Sequence, residues 1–444
     1  MLNRRRFLQS LAIAAVTPST PSLARSASSP LGPLRPDPER IIDLPAGFTY
    51  RVVSRSGDRM ADGLRVPHDH DGMAAFPGDD GRVILVCNHE LGPENADKSA
   101  FDPDLDALPG FVQDKIYDAG GGRTPGLGGT TTTIYNPKTG RTERQHLSLI
   151  GTEYNCAGGA TPWGSWLSCE ETFHNPGSGI LYRRDKAHGY VFEVPAAASG
   201  LVDPVPIRAM GKFEHEAAAV HAGSGIVYMT EDRHQSLVYR YIPDTPGDLQ
   251  AGGQLQALAI GDGPSVRTHN WQDEARIKIG EELPVRWLDL DNVDSRENDL
   301  RVRGAAQGAA TFARGEGLCV AGDDLFITAT IGGAERMSQV FRYRWSPGGG
   351  SLSLIAESTS HSLLRGADNI VMAPFGDLLV CEDTASNCGI VGIGPDGVQY
   401  AVADNAYSDS ELAGVCFSPD GKILFVNIQY RGLTLAITGP WPAV

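Results

Sequence analysis

Residues 70–90 read HDGMAAFPGDDGRVILVCNHE, and the fold prediction rests on the unit in this stretch. Polar and small residues at His70–Met73 open the unit, and a turn rich in Gly and Asp follows at Pro77–Gly81. The apolar run Val83–Val86 then leads into a polar end at Cys87–Glu90. This order predicts a strand, a tight turn and a second strand, because Gly and Asp favour turns and branched apolar residues favour strands.

The same unit recurs along the chain in five further copies, which begin at Cys156, Glu214, Arg314, Asp368 and Glu411. Six strand–turn–strand units predict an all-β fold, a six-bladed β-propeller. Five to seven blades are possible, and six is the number that the motifs support. The uneven spacing of the copies predicts loop or subdomain insertions near residues 91–155 and 233–313. A β-sandwich also contains hairpins with polar ends, but it does not require acidic residues at the same position of each hairpin. The first and last residues of an antiparallel hairpin lie at the same end, so the acidic residues should converge at one mouth of the central channel.

The composition excludes one class of partner. The chain has 444 residues and a formal net charge of −16, whereas a nucleic-acid-binding surface needs clustered Lys and Arg. We therefore expect no nucleic acid partner. The high content of turn-forming residues, with 53 Gly and 29 Pro, agrees with many short strands. We expect one β-propeller domain over residues 25–444 and a monomer.

The N-terminus has the pattern of an export signal. Residues 3–9 read NRRRFLQ, and a short apolar run follows at Leu11–Val16. Small residues at Ser22 and Ala24 suit cleavage. This order predicts a twin-arginine signal peptide at residues 1–24, recognised by the twin-arginine export machinery. No segment reaches the length of a membrane-spanning helix, so we expect a periplasmic or secreted protein without stable membrane insertion.

The segment 155–171, NCAGGATPWGSWLSCEE, resembles the PhoX-type alkaline phosphatases. The resemblance extends in order over nearly the whole mature chain, in the motifs at residues 70–73, 88–90, 128–131, 213–216, 287–291, 312–317 and 417–421. It implies a six-bladed propeller, twin-arginine export, and a cluster of calcium and iron(III) ions that binds phosphate. It further implies that one Cys thiolate, several Glu carboxylates and an Arg-x-Glu pair form the site.

Carboxylates from different hairpins are the candidate metal ligands. Calcium takes six to eight oxygen ligands, mostly from carboxylates and carbonyls. The predicted ligands are Glu90, Glu171, Glu214, Glu216, Glu231, Glu316 and Glu382, together with Cys156. A single Glu is more often a solvated surface residue, but matching positions in successive hairpins favour ligands. We expect two or three of these Glu residues to support the site rather than bind a metal directly.

Cys156 precedes Ala157-Gly158-Gly159, where glycines let the backbone pass close to a ligand. As a thiolate it would bind iron. The alternative is a small buried residue, and we apply that interpretation to Cys87, Cys169 and Cys381.

Arg314 and Glu316 are predicted to act in catalysis together with Cys156. Residues i and i+2 of a strand share a face, so Arg314 and Glu316 would both point into the channel. The planar guanidinium of Arg fits phosphate oxygens in a bidentate manner. The alternative for Arg314 is a structural salt bridge to a neighbouring Glu.

These features predict hydrolysis of small phosphate monoesters for phosphate scavenging. Two other functions are considered. A calcium-dependent lactonase also suits a propeller, but it needs fewer carboxylates and no thiolate. A non-catalytic propeller stabilised by calcium would keep the carboxylates, but it would not need Arg314 beside Glu316.

Overall fold

The computed structural model describes residues 29–102, 108–179, 181–271, 277–359 and 363–443. The predicted signal peptide at residues 1–24 therefore lies outside the described residues. Among the helices that the structure describes, none has the length and apolar character needed to cross a bilayer.

Strands dominate the structure. In chain order they are β1 (Leu34–Arg35), β2 (Ile42–Pro45), β3 (Thr49–Arg55), β4 (His70–Pro77), β5 (Val83–His89), β6 (Gly128–Asn136), β7 (Arg141–Thr152), β8 (Asn155–Ala160), β9 (Ser165–Glu170), β10 (Val191–Pro195), β11 (His215–Val220), β12 (Val227–Glu231), β13 (His234–Ser236), β14 (Val238–Thr245), β15 (Asp248–Ile260), β16 (Glu282–Asp289), β17 (Phe312–Ala313), β18 (Gly315–Ala321), β19 (Asp324–Ala329), β20 (Gln339–Arg344), β21 (Ser351–Glu357), β22 (Ala367–Met372), β23 (Leu378–Glu382), β24 (Gly389–Ile393), β25 (Gln399–Asn405), β26 (Leu412–Phe417), β27 (Ile423–Ile428) and β28 (Leu433–Thr438).

Helices are short and lie in the connections. The α-helices are α1 (Gly110–Gln113) and α2 (Leu300–Ala306), and single 3₁₀ turns occur at Asp79–Gly81, Ala96–Lys98, Gly120–Gly122, Arg208–Met210 and Gln429–Arg431. The predicted all-β class is confirmed.

The strands form antiparallel sheets in a propeller-like arrangement. The sheets have the orders β4-β5-β6-β7, β8-β9-β10, β22-β23-β24-β25-β2-β1 and β26-β27-β28-β3. The last of these closes the molecule, because β3 from the beginning of the chain pairs with β28 from its end. Apolar side chains fill the space between neighbouring sheets. For example, Phe425 packs edge-on against Tyr135, with 5.7 Å between ring centroids.

The prediction of six separate blades was wrong in one respect. Strand β16 pairs with both β15 and β21, so the third and fourth units join into one nine-stranded sheet, β11-β12-β14-β15-β16-β21-β20-β19-β18. Within the described residues, the structure therefore has five large sheets and the two-stranded β13–β17 ribbon. The unit copies reveal the hairpins, but they contain no information about the long connection that forms β16.

The segments expected as insertions contain outer strands as well as loops. Strands β6 and β7 lie within residues 91–155 and complete the first sheet, while α1 lies in the preceding loop. Strands β13 to β17 and α2 lie within residues 233–313. The domain boundaries themselves stay predictions.

The first strands of the predicted units line the centre of the molecule. Strand β4 contacts β8 and β26, β11 contacts β8 and β18, and β22 contacts β18 and β26. Two glycines show how closely these strands approach. A Cβ atom on Gly317 would lie 2.4 Å from the Asp368 carbonyl oxygen, and one on Gly414 would lie 2.4 Å from that of Asp71. Only glycine fits at such contacts.

Each inner strand carries a β-bulge near its first residue. In β4 the register shifts between His70 and Met73, and the other shifts lie between Asn155 and Gly158, His215 and Ala218, Gly315 and Leu318, Ala367 and Ile370, and Ala413 and Cys416. A bulge leaves residues unpaired and re-aims their side chains. The second residue of each of the first five strands lies in its bulge, and these residues are Asp71, Cys156, Glu216, Glu316 and Asp368.

Polar side chains from one unit bind the bulge of the next. Asn88 Nδ2 donates a hydrogen bond to the Cys156 carbonyl oxygen at 3.0 Å, and Thr328 Oγ1 donates to that of Asp368 at 2.8 Å. The same contact joins Thr230 to the Glu316 carbonyl and Asn427 to the Asp71 carbonyl. Because Asn427 is in the last unit and Asp71 in the first, these contacts also close the ring.

Replacing Thr328 with Val keeps the side-chain shape but removes the donor to the buried Asp368 carbonyl. A buried carbonyl without its donor costs about 1–3 kcal/mol, so Thr328→Val should lower the free energy of unfolding by about that amount. The measurement is urea unfolding followed by fluorescence. Thr438→Val, at an exposed position in β28, is the control and should have little effect; equal effects of the two changes would contradict the proposed role of Thr328.

Candidate metal centre

The bulges bring cysteine and carboxylate side chains together at the centre of the molecule. Three groups each have ligand atoms within 4.8 Å of one another, and these are Cys156 with Glu171 and Glu216, Glu216 with Glu316 and Asp368, and Asp71 with Glu90 and Glu411. Glu216 belongs to two groups and therefore links them. Cys156 and the shared Glu216 are each 2% exposed. Buried oxygen and sulfur atoms at this spacing can hold metal ions.

Burial and mutual repulsion make the charged forms of these groups costly. Burial raises the pKa of the Glu216 carboxyl well above its usual range, and the charges of Glu316 and Glu171 raise it further. Burial likewise raises the pKa of the Cys156 thiol well above its usual range, with smaller contributions from Glu216 and Glu171. In the protein without a cation, Cys156 is therefore a thiol, and its Sγ donates to the His215 carbonyl oxygen at 3.3 Å.

The third group is joined by an amide side chain. Gln429 Nε2 donates to Asp71 Oδ2 at 2.6 Å and to Glu90 Oε2 at 2.9 Å. Gln429 follows β27 of the last unit, whereas Asp71 and Glu90 belong to the first unit. This group therefore lies where the two ends of the ring meet.

Arg314 reaches its position in a different way from the one predicted. It lies between β17 and β18 with a φ of +59°, so it is not a strand residue and the i, i+2 argument does not apply. Asp69 and Tyr154 occupy equivalent corners before β4 and β8, each with a φ of +48°. Arg314 nevertheless lies beside Glu316, since its Nη2 donates to Glu316 Oε1 at 2.8 Å.

Asp232 holds the guanidinium of Arg314 in a bidentate ion pair. Arg314 Nε donates to Asp232 Oδ1 at 2.8 Å, and Nη2 donates to Oδ2 at 2.7 Å. The alternative for Arg314 was a salt bridge to a neighbouring Glu, whereas its bidentate partner is the aspartate Asp232. The Arg314 side chain is still 22% exposed and lies beside Glu316 of the second group.

Three of the predicted ligands lie outside the three groups. Glu231 accepts a hydrogen bond from the Tyr239 hydroxyl at 2.8 Å, and burial raises the pKa of Glu231 to about 7. Glu382 accepts the backbone N–H groups of Arg365 and Gly389, each at 3.0 Å. Among the residues described here, these carboxylates are bound to protein groups rather than gathered with other acids.

Glu214 is the third of these residues. It accepts hydrogen bonds from Asn298 Nδ2 at 2.9 and 3.0 Å and pairs with Arg233. Of the predicted ligands, the structure thus gathers Glu90, Cys156, Glu171, Glu216 and Glu316.

Asp71, Asp368 and Glu411 are not among the predicted ligands, although all three lie in the repeated units and belong to the three groups. A positional signal could have found the first two. Asp71 and Asp368 are each the second residue of an inner strand, as are Cys156, Glu216 and Glu316. Choosing one position of the unit, rather than choosing Glu by residue type, would have identified these five residues.

The comparisons concern both sequence and fold. The model of the family described as alkaline phosphatase PhoX matches residues 29–432. The structure of Pseudomonas fluorescens PhoX in complex with vanadate, a transition state analogue, has a TM-score of 0.67 and 18% identity, and the match covers 90% of this chain and 96% of that chain. At this identity the likeness is evidence for the fold. A gluconolactonase from Xanthomonas campestris has a TM-score of 0.41 and 11% identity, and the match covers 93% of this chain and 99% of that chain. The comparison with curated protein sequences gives no match.

The raised pKa of Glu216 predicts a pH dependence for the protein freed of metal with a chelator. The folded state keeps a proton that the unfolded state releases above the usual carboxyl pKa of 4.5. The free energy of unfolding should therefore fall as pH rises from about 5 to 8. Glu216→Gln should make this slope shallower because the amide does not titrate, while Glu231, whose pKa burial raises to about 7, keeps its own contribution. The measurement is urea unfolding at several pH values in chelator. Glu335→Gln, at an exposed position, should keep the wild-type slope, and an unchanged slope in Glu216→Gln would refute the argument.

Proposed function

The chain belongs to the PhoX alkaline phosphatase family, and we propose that it is an exported, metal-dependent phosphatase that hydrolyses small phosphate monoesters. The observation that carries this proposal is the buried set of carboxylates and one thiol beside an arginine, in which Arg314 Nη2 lies 2.8 Å from Glu316. Such an enzyme would serve phosphate scavenging in the periplasm or outside the cell. Export by the twin-arginine machinery and a monomeric state are parts of this proposal.

The gathered residues fit a cluster of calcium and iron(III). Carboxylates supply the oxygen ligands that calcium prefers, and Cys156 supplies a sulfur ligand suited to iron. One oxygen of Glu216, Oε2, is buried and accepts no hydrogen bond from any described residue. A cation would bind this oxygen and offset the repulsion among the buried carboxylates. Bound cations would polarise the phosphoryl oxygens as Lewis acids.

The chain's own groups would then bind and orient the phosphate. Arg314 is exposed enough to reach a substrate at the mouth, and Asp232 fixes the plane of its guanidinium. A preorganised cation of this kind stabilises the charge that develops on the phosphoryl oxygens. Asp232 acts as a positioning residue, because its contact is with Arg314.

Two alternative functions remain distinguishable from this proposal. A lactonase would not need the thiol of Cys156, and a non-catalytic propeller would not need Arg314 beside Glu316. The variants below therefore test these two residues, since each separates the phosphatase from one alternative.

Cys156→Ser should remove bound iron and most phosphatase activity, because the hydroxyl is a poor substitute for a thiolate ligand. The control is Cys169→Ser, a change at a cysteine that is also fully buried but lies outside the three groups. It should keep its iron. Iron is measured by elemental analysis and activity with a chromogenic phosphate ester. If both variants lose iron equally, Cys156 is a packing residue.

Arg314→Ala should lower the phosphatase rate constant by about two to three orders of magnitude, the usual cost of removing one group that stabilises transition-state charge. Arg314→Lys should be intermediate, because it keeps the charge but loses the planar fork. Both variants should retain their metals, whereas Glu316→Gln should lose metal and turnover together.

A matched control for Arg314 exists in β20. Arg344 pairs with Asp324 through the same two nitrogens, Nε and Nη2, at 2.9 and 3.1 Å, but at the protein surface. Arg344→Ala should keep full activity. Full activity in Arg314→Ala would make Arg314 structural, and no phosphate release by the metal-loaded wild type would refute the proposed function.

A further inference from the structure

A cavity of about 350 Å³ lies outside the three acidic groups and is lined by four basic residues. These residues are Lys186, Arg208, Lys212 and Arg296, and the two carboxylates that also line the cavity are Asp185 and Asp294. The surplus of positive charge is notable in a chain whose net charge is −16. Although the protein is acidic, its carboxylates do not balance the basic residues of this cavity.

The main feature of this cavity is the buried ammonium group of Lys212. It is only 3% exposed, yet no carboxylate among the described residues lies within salt-bridge distance of its ammonium group. Its Nζ donates to Asn175 Oδ1 at 2.5 Å and lies 3.9 Å from the centre of the Phe173 ring. Because an ammonium group has three N–H donors, this environment leaves donor capacity for an anion in the cavity. A buried charge without a counter-charge is costly unless a ligand compensates it.

The other charged side chains of the cavity do not neutralise Lys212. Asp294 is already engaged, since it accepts hydrogen bonds from the Tyr190 hydroxyl at 2.5 Å and from Arg208 Nη1 at 2.9 Å. The exposed Arg296 adds a further charge to the wall and holds the Asn175 side chain through its backbone carbonyl, at 2.8 Å. Because Asp294 already binds Tyr190 and Arg208, it does not fully neutralise the positive charge of Lys212.

Neighbouring segments of the chain form this cavity and the candidate metal centre. Lys212 is four residues before Glu216, and Asn175 is four residues after Glu171. Four residues of extended chain span at most about 14 Å. Both walls of the cavity are thus tied to ligands of the same group, because the Cα atoms of Lys212 and Glu216, and those of Asn175 and Glu171, lie within about 14 Å of each other.

We propose that this cavity binds a second anionic group of the substrate, so that the preferred substrates carry two phosphate groups, one cleaved at the metal centre and one held by Lys212 and Arg296. This inference rests on the proposed phosphatase function and specifies its substrate class. The recognition requires only a phosphate or similar oxyanion, and free inorganic phosphate is the other source of that chemistry.

The kinetic test compares monophosphates and bisphosphates of ethane-1,2-diol, butane-1,4-diol and hexane-1,6-diol, with phosphate release measured by a colorimetric assay. Wild type should prefer one bisphosphate over its monophosphate by about tenfold in kcat/KM, which is typical for one hydrogen bond to a charged group. Lys212→Met and Arg296→Met should each reduce this ratio towards about two, the statistical value for a substrate that carries two equivalent phosphate groups. Arg296 is exposed, so its variant should fold even if the change at the buried Lys212 destabilises the protein.

Lys138→Met is the matched control, because Lys138 is an exposed lysine in the turn between β6 and β7. It should keep the wild-type ratio. A wild-type ratio of about two or less, or a ratio that survives both pocket substitutions, would overturn the proposal.

A binding test that needs no turnover separates failure of the pocket from failure of the proposed function. Sulfate should raise the melting temperature of wild type and Lys138→Met above the value in chloride of equal ionic strength, and Lys212→Met and Arg296→Met should lose part of this increment. If no ester is hydrolysed but the increment depends on Lys212, the phosphatase function fails while the anion pocket stands. If the increment depends on Lys212 but the bisphosphate preference does not, the pocket binds a free anion and the substrate proposal is overturned.

Discussion

Repulsion among buried carboxylates is the constraint on which the rest of this structure depends. Glu216, Glu316 and Asp368 place oxygens within 4.8 Å of one another. Two unit charges 4 Å apart repel by about 4 kcal/mol at an effective dielectric constant of 20. The centre must therefore take up protons or cations. The raised pKa of Glu216 expresses the first response, and the metal centre that we propose is the second.

A rigid frame is needed to keep such groups together. Each bulge aims one side chain at the centre, and a polar side chain from the neighbouring unit binds the carbonyl oxygen beside it, as Thr328 does for Asp368. Glycines at Gly317 and Gly414 allow the inner strands to approach so closely that a side chain would not fit. The pairing of β3 with β28 and the bond from Asn427 to Asp71 close the ring. Spreading of the charged centre is therefore opposed by hydrogen bonds between successive units.

The hairpin units made the all-β class and the convergence of acidic residues predictable, but three features needed the structure. Glu231 and Glu382 are the last residues of their strands, whereas Glu90 and Glu171 each follow the last residue by one. Successive strand residues point to opposite sides, so this shift of one residue separates the gathered carboxylates from those bound elsewhere.

Backbone conformation and long connections explain the other two differences. The left-handed conformation of Arg314 is not encoded in the spacing of Arg314 and Glu316, although the same corner recurs at Asp69 and Tyr154. The joining of two units by β16 depends on a segment outside the repeated hairpins.

The net charge of −16 is a poor guide to how the protein binds an anionic ligand. Carboxylates that hold cations or protons at the centre do not repel a phosphate as free charges would, and the basic residues are placed locally. Asp232 orients Arg314, whereas the Lys212 ammonium group contacts an amide and an aromatic ring, with no carboxylate of the described residues within salt-bridge distance. The distribution of charge over a few ångströms, rather than the total, therefore determines which anions this surface can bind.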